Sequence, residues 1–160
     1  MKITINNETI EISNEAAKLS GLLSSVLEED IDELNIKYGS MELFNVVVQF
    51  CEYHKNNPFI KIRTPINHNN LKLLVCDFDY NLINDYKDII KLTDFANYLD
   101  IEPLIDLCLG KIACMIYNKS EYEIKDILEA TDITDKELDE QHTKYGGFFK
   151  PRQEINVRLT

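Results

Sequence analysis

The sequence predicts an α+β fold, a small N-terminal sheet followed by helices. Two observations carry this reading. Apolar residues alternate at period two near the start, with Ile3 and Ile5, then Ile10 and Ile12, around Asn6-Asn7-Glu8. That pattern is a β-hairpin with one buried face. From Ser40 onward, apolar residues recur at helical spacing between recognisable caps and breakers. Strands first and helices afterwards give a sheet segregated from its helices.

Taken in order, Ser13 caps a short helix through Lys18, because its hydroxyl can accept from a free N–H of the first turn. After Gly21, residues Leu22, Leu23, Val26 and Leu27 mark a second helix. An acidic segment over 28–33 follows, and Leu34-Asn-Ile36 predicts a third strand. Ser40 opens a strong helix with Leu43, Val47, Phe50 and His54 on one stripe and Phe44, Val48 and Cys51 beside it. His54 and Lys55 suit the negative end of that helix, and Pro58 ends it. Residues 56–70, rich in Asn and holding Pro58 and Pro65, predict a loop open to length variation. Residues 71–83 fit a short helix or a strand.

Asn84 or Asp85 is expected to cap a helix reaching about Leu99, with Ile89, Leu92, Thr93 and Ala96 along its face. Pro103 sits where a helix accepts proline in its first position. Leu104, Leu107, Cys108, Lys111, Ile112, Met115 and Ile116 then cover much of the next helix. Ser120-Glu-Tyr-Glu123 is a capping box for a helix bearing Ile124, Ile127 and Leu128. Thr134-Asp-Lys-Glu137 is a second box, opening a helix whose one large aliphatic is Leu138. Gly146-Gly147 breaks the pattern, and Ile155, Val157 and Leu159 alternate in the tail.

The 160 residues carry a net charge of −11. Such a balance disfavours nucleic acid and anionic membranes, both of which recruit Lys and Arg. No apolar run approaches the ~18 residues of a membrane span, and Met1-Lys-Ile-Thr-Ile-Asn lacks the apolar stretch of a secretory leader. Cys51, Cys76, Cys108 and Cys114 show no Cys-x-x-Cys spacing and read as reduced thiols of a cytoplasmic or nuclear protein. In that setting the sequons at Asn7 and Asn118 carry no modification.

No catalytic constellation is expected. Cys51 and His54 are three apart on a helix, but two ligands do not make a zinc site, and His68 and His142 read as surface residues. The carboxylates form a solvated acidic face rather than a pair with divided pKa values. The sequence has neither a phosphate-cradling glycine loop nor a Gly-x-Ser-x-Gly elbow, and no cofactor or metal is called for. What remains is excess apolar helix surface after residue 103, of the kind another protein covers.

Several strings resemble the S-phase-kinase-associated adaptor family, the small subunit linking F-box proteins to cullin in SCF ubiquitin ligases. They are Val48-Gln-Phe-Cys-Glu-Tyr-His-Lys-Asn-Asn-Pro58, Ala96-Asn-Tyr-Leu-Asp-Ile101, Lys111-Ile-Ala-Cys-Met-Ile116, Lys119-Ser-Glu-Tyr-Glu-Ile-Lys125 and Asp132-Ile-Thr-Asp-Lys-Glu137. The similarity spans about residues 1–140. Elongin C shares part of it but lacks the helices after residue 120. The resemblance implies a BTB/POZ domain over 1–117, a C-terminal helical extension for F-box binding over 118–145 and a divergent tail over 146–160. It further implies that Asn97 and Tyr98 face cullin, and that Leu107, Lys111, Ile112, Met115, Ile124, Ile127 and Leu128 meet an F-box. Read from the residue alone, Asn97 is equally a helix C-cap.

This chain departs from the family pattern in places. It has no Trp, and Gln141–Phe149 replaces the family's acidic, Trp-bearing end. Leu128 stands for a usual Phe, Glu121 for a usual Pro, and the acidic loop shrinks to Glu28–Glu33. Two other roles stay open beside the adaptor: a viral or parasite decoy or redirector that binds only one of these partners, and a self-associating BTB/POZ module forming a homodimer through its apolar helices.

Overall fold

The computed structural model describes residues 1–128; the expected helix after Thr134, the Gly146-Gly147 break and the alternating tail lie outside them. Strands β1 (Lys2–Ile5), β2 (Glu8–Glu11) and β3 (Glu33–Ile36) form one sheet in the order β2-β1-β3. β1 and β2 are antiparallel, with Ile3 opposite Ile10, and the turn takes Asn6 and Asn7 into positive φ. Asparagine tolerates that region, so a two-residue turn closes without glycine. β3 lies parallel to β1, Ile5 beside Ile36, and all three of Ile3, Ile5 and Ile36 are buried.

Helices α1 (Asn14–Ala17), α2 (Gly21–Glu28) and α3 (Met41–His54) begin at Ser13, Ser20 and Ser40, whose hydroxyls each accept from an N–H of the first turn. The central helix α3 buries Leu43, Phe44, Val46, Val47, Phe50, Cys51 and His54. The stripe read from sequence is thus its inner face.

The segment after α3 is a loop with one deep anchor. Ile62 is buried, and its terminal methyl fills the space where a side chain at Gly110 would stand. The ambiguous stretch resolves into a 3₁₀ turn at Leu71–Leu73 and helix α4 (Asp77–Ile83). Asp79 on α4 is buried and meets His54 Nε2 at 2.8 Å, while His54 Nδ1 donates to the Asn57 carbonyl at 2.7 Å.

The next helix, α5 (Ile89–Tyr98), starts later than the sequence implied: Asp88 is its N-cap, and Asn84 closes α4 instead. Lys111 bridges the connection between the two helices. Its ammonium donates to the carbonyls of Ile83, Asn84 and Tyr86, the last two at 2.7 and 3.0 Å. Ile83 and Asn84 close α4 and Tyr86 lies in the turn beyond it, so a lysine from another helix holds the carbonyls of the α4–α5 connection.

α6 (Glu102–Ile116) places Pro103 in its first turn, one residue inside Glu102. α7 (Glu121–Ile127) begins with the expected capping box: Ser120 Oγ accepts from Glu123 N–H, and the Glu123 carboxylate accepts from Ser120 N–H at 2.9 Å. No residue of α7 is buried.

Lys111→Met keeps the aliphatic stem and removes the three donated bonds. Unfolding in urea is expected to show a loss of about 2 kcal/mol, since bonds from a charged donor exceed neutral ones. An unchanged midpoint would mean that only the stem contributes.

Candidate functional site

The string Ala96–Ile101 ends α5 and aims two side chains outward. Leu99 is the C-cap, Asp100 takes φ 54°, and the N–H groups of Asp100 and Ile101 return to the carbonyls of Asn97 and Ala96. This is a Schellman turn with aspartate in the left-handed position. The cap is therefore two residues beyond Asn97, and the left-handed conformation belongs to Asp100. The turn is docked by its own carbonyls: Gly21 N–H donates to Asp100 O at 2.9 Å, Leu22 N–H to Leu99 O at 3.3 Å, and Ser20 Oγ–H to Leu99 O at 2.5 Å. The last acceptors of α5 thereby satisfy the first donors of α2. With Leu99 and Ile101 fully buried, Asn97 and Tyr98 are left on the outside.

Tyr98 is not isolated. Its ring lies 4.9 Å from that of Tyr38, and Phe95 lies 6.1 Å from Tyr38 and 6.3 Å from Tyr98. Phe95 is fully buried, whereas Tyr38 and Tyr98 are 48% and 43% exposed. Sequence reasoning missed Tyr38. Its signal was an aromatic-glycine pair in a polar stretch just before the Ser40 cap. Gly39 has φ 86°, and a Cβ there would lie 2.4 Å from the Phe95 ring. The chain passes this close to Phe95 of α5 only because that position carries no side chain.

The second surface is the outer side of α6 with α7. Ile112, Met115, Ile124, Ile127 and Leu128 are all half-buried, and Leu109 beside them is 49% exposed. Two expected members do not stand on this face: Leu107 is fully buried, and Lys111 is 8% exposed with its ammonium donating to the carbonyls of Ile83, Asn84 and Tyr86. Sequence could not tell Leu107 from Leu109, because nearly the whole circumference of α6 is apolar.

The buried thiols offer no nucleophile. Burial pushes Cys51 and Cys108 up to about 12, far from the thiolate form. Cys76 is exposed, but its thiol donates to Asp79 Oδ2 at 3.2 Å, so a carboxylate and not an imidazole faces it. Both ring nitrogens of His54 are engaged, by Asp79 and by the Asn57 carbonyl, and no group of three His, Cys, Asp or Glu that could hold a metal occurs among the described residues. All four cysteines are free, and no helix among the described residues is long and apolar enough to cross a membrane.

Gly39→Ala is expected to cost about 1–3 kcal/mol in urea unfolding, from left-handed strain and the clash with Phe95. The chain has no Trp and 8 Tyr, so native-state tyrosine fluorescence is a direct second readout. It should change as Tyr38 leaves Tyr98, and an unchanged spectrum and midpoint would refute the role given to Gly39.

No family model matches the chain. Curated relatives do. The S-phase kinase-associated protein 1 homolog of Tetrahymena thermophila is 33% identical over 127 residues, 77% of this chain and 76% of that protein. Suppressor of kinetochore protein 1 of Schizosaccharomyces pombe is 26% identical over 156 residues, 89% of this chain and 91% of its own length. The E3 ubiquitin ligase complex SCF subunit sconC of Arthroderma benhamiae is 26% identical over 147 residues, covering 87% and 90% of the two chains. With this extent of identity, and an α+β fold in the order the sequence predicts, the chain belongs to the S-phase kinase-associated protein 1 family as a divergent member.

Proposed function

We propose that this chain is the non-catalytic adaptor of an SCF-type E3 ubiquitin ligase. It joins a cullin scaffold to F-box substrate receptors and so sets the distance between a bound substrate and the ubiquitin-loading machinery. Family membership is the observation that carries this, one relative being named as a subunit of such a ligase. The placement of two separate surfaces supports it. Asn97 and Tyr98 stand outward at the end of α5 and would contact cullin. Ile112 and Met115 on α6, with Ile124, Ile127 and Leu128 at and just beyond α7, would contact the F-box.

In this reading the sheet and helices through α6 are a BTB/POZ domain. α7 begins the F-box-binding extension. An apolar helix face of this kind yields roughly 25 cal/mol per Å² when covered, which gives the F-box surface its driving force. The free cysteines fit work in the cytoplasm or nucleus. Nothing among the described residues favours a decoy or a self-associating module over the adaptor.

Two variants separate the surfaces. Asn97→Ala with Tyr98→Ala should weaken capture of a purified cullin at least tenfold and leave F-box capture intact. Ile112→Ser with Met115→Ser should do the reverse. If each pair affects both partners equally, or neither, the two-surface assignment is wrong.

A further inference from the structure

Tyr38 faces two ways. One side packs on Tyr98, and the other lines a groove of about 380 Å³ between the start of α3 and the outer side of α5. Leu43 and Tyr86 supply apolar lining. The charged lining is Glu42, Asp88, Asp94 and Lys91. Lys91 is already paired with Asp88 at 3.4 Å. Glu42 and Asp94 have no ion-pair partner among the described residues. Glu42 lies in the first turn of α3 and Asp88 caps α5, so helix dipoles offset part of their charge. Asp94 sits mid-helix and receives no such help. The Tyr86 phenol is pushed upward, first by burial and then by Glu42 and Asp88, as expected in a negative field.

Carboxylates alone would be a solvated face. These line a concavity bordered by the exposed ring of Tyr38, and that ring is held in place by Gly39 against Phe95. The occupant follows from what each class of side chain would leave behind. An acidic group is repelled. An apolar group would strip water from Glu42 and Asp94 and leave them unpaired, which is costly. A lysine or arginine lays its aliphatic stem on Tyr38 and Leu43, brings its charge to the two carboxylates, and gains from the tyrosine face.

We propose that the surface of Asn97 and Tyr98 continues through Tyr38 into this groove, which receives a basic side chain of the cullin. The inference rests on the assignment of Asn97 and Tyr98 to cullin and adds the partner's chemistry at that margin. Electrostatic complementarity of this kind sets specificity and association rate.

The test uses the full chain and a purified cullin amino-terminal fragment, with the dissociation constant measured across a salt series. Tyr98→Ala reports on the underlying assignment. Glu42→Gln with Asp94→Asn reports on the groove, and Asp94→Lys is a single reversal at an exposed position. F-box capture serves as the folding control. The groove variants should bind cullin about tenfold more weakly at low salt and lose most of the salt dependence, with F-box capture unchanged. Tyr38→Ala should weaken cullin binding as well. If Tyr98→Ala weakens cullin while the groove variants keep the wild-type affinity and salt slope, the groove proposal is overturned and the adaptor reading stands. If Tyr98→Ala also has no effect, the assignment of this face falls and the proposal falls with it.

Discussion

The junction between the end of α5 and the start of α2 is the constraint on which the rest depends. Two helix termini far apart in sequence cancel each other's unsatisfied groups: the Leu99 and Asp100 carbonyls accept from Ser20, Gly21 and Leu22. Each group would otherwise need water or another cap. Because the turn must dock with Leu99 and Ile101 inward, its register admits one outcome for Asn97 and Tyr98. A pair of exposed residues is thereby positioned to within the tolerance of backbone hydrogen bonds. A flexible loop could not do this.

Lys111 performs a comparable task on the other side of α5. The family resemblance assigns this lysine to an F-box; its ammonium reaches the carbonyls of Ile83, Asn84 and Tyr86, at and just beyond the end of α4. Burial lowers its pKa, and Asp85 opposes that shift. The bond ties α4 to α6 across the turn that launches α5. α5, whose last turn carries Asn97 and Tyr98, is thus fixed at both ends.

Elements whose signals are local were legible in the sequence. The Asn6-Asn7 turn, the serine caps at 13, 40 and 120, and the inner stripe of α3 all follow from chemistry within a few residues. The family resemblance was legible for the same reason, since short strings carry it. Features made by distant residues were not legible. Nothing near Asn84 announces that Lys111 will take its carbonyl. Nothing near Asp79 announces His54, 25 residues earlier. At the candidate site Asn97 and Tyr98 were singled out by motif, but Tyr38 joins them only through the packing of Phe95. Leu107 and Leu109 differ in exposure because of neighbours that no periodicity in α6 encodes.

The contact of Ile62 with Gly110 changes what kind of loop joins α3 to the 3₁₀ turn at Leu71–Leu73. Closing a free loop costs entropy that grows only with the logarithm of its length. Pinned at one buried isoleucine, the connection becomes two short tethers, each closed separately. Residues could be inserted into either tether without disturbing the other, since the pin absorbs the displacement. The pin itself has no such latitude: it sets where both tethers begin and end, and it couples the most variable-looking stretch of the sequence to the helix proposed to carry the substrate receptor.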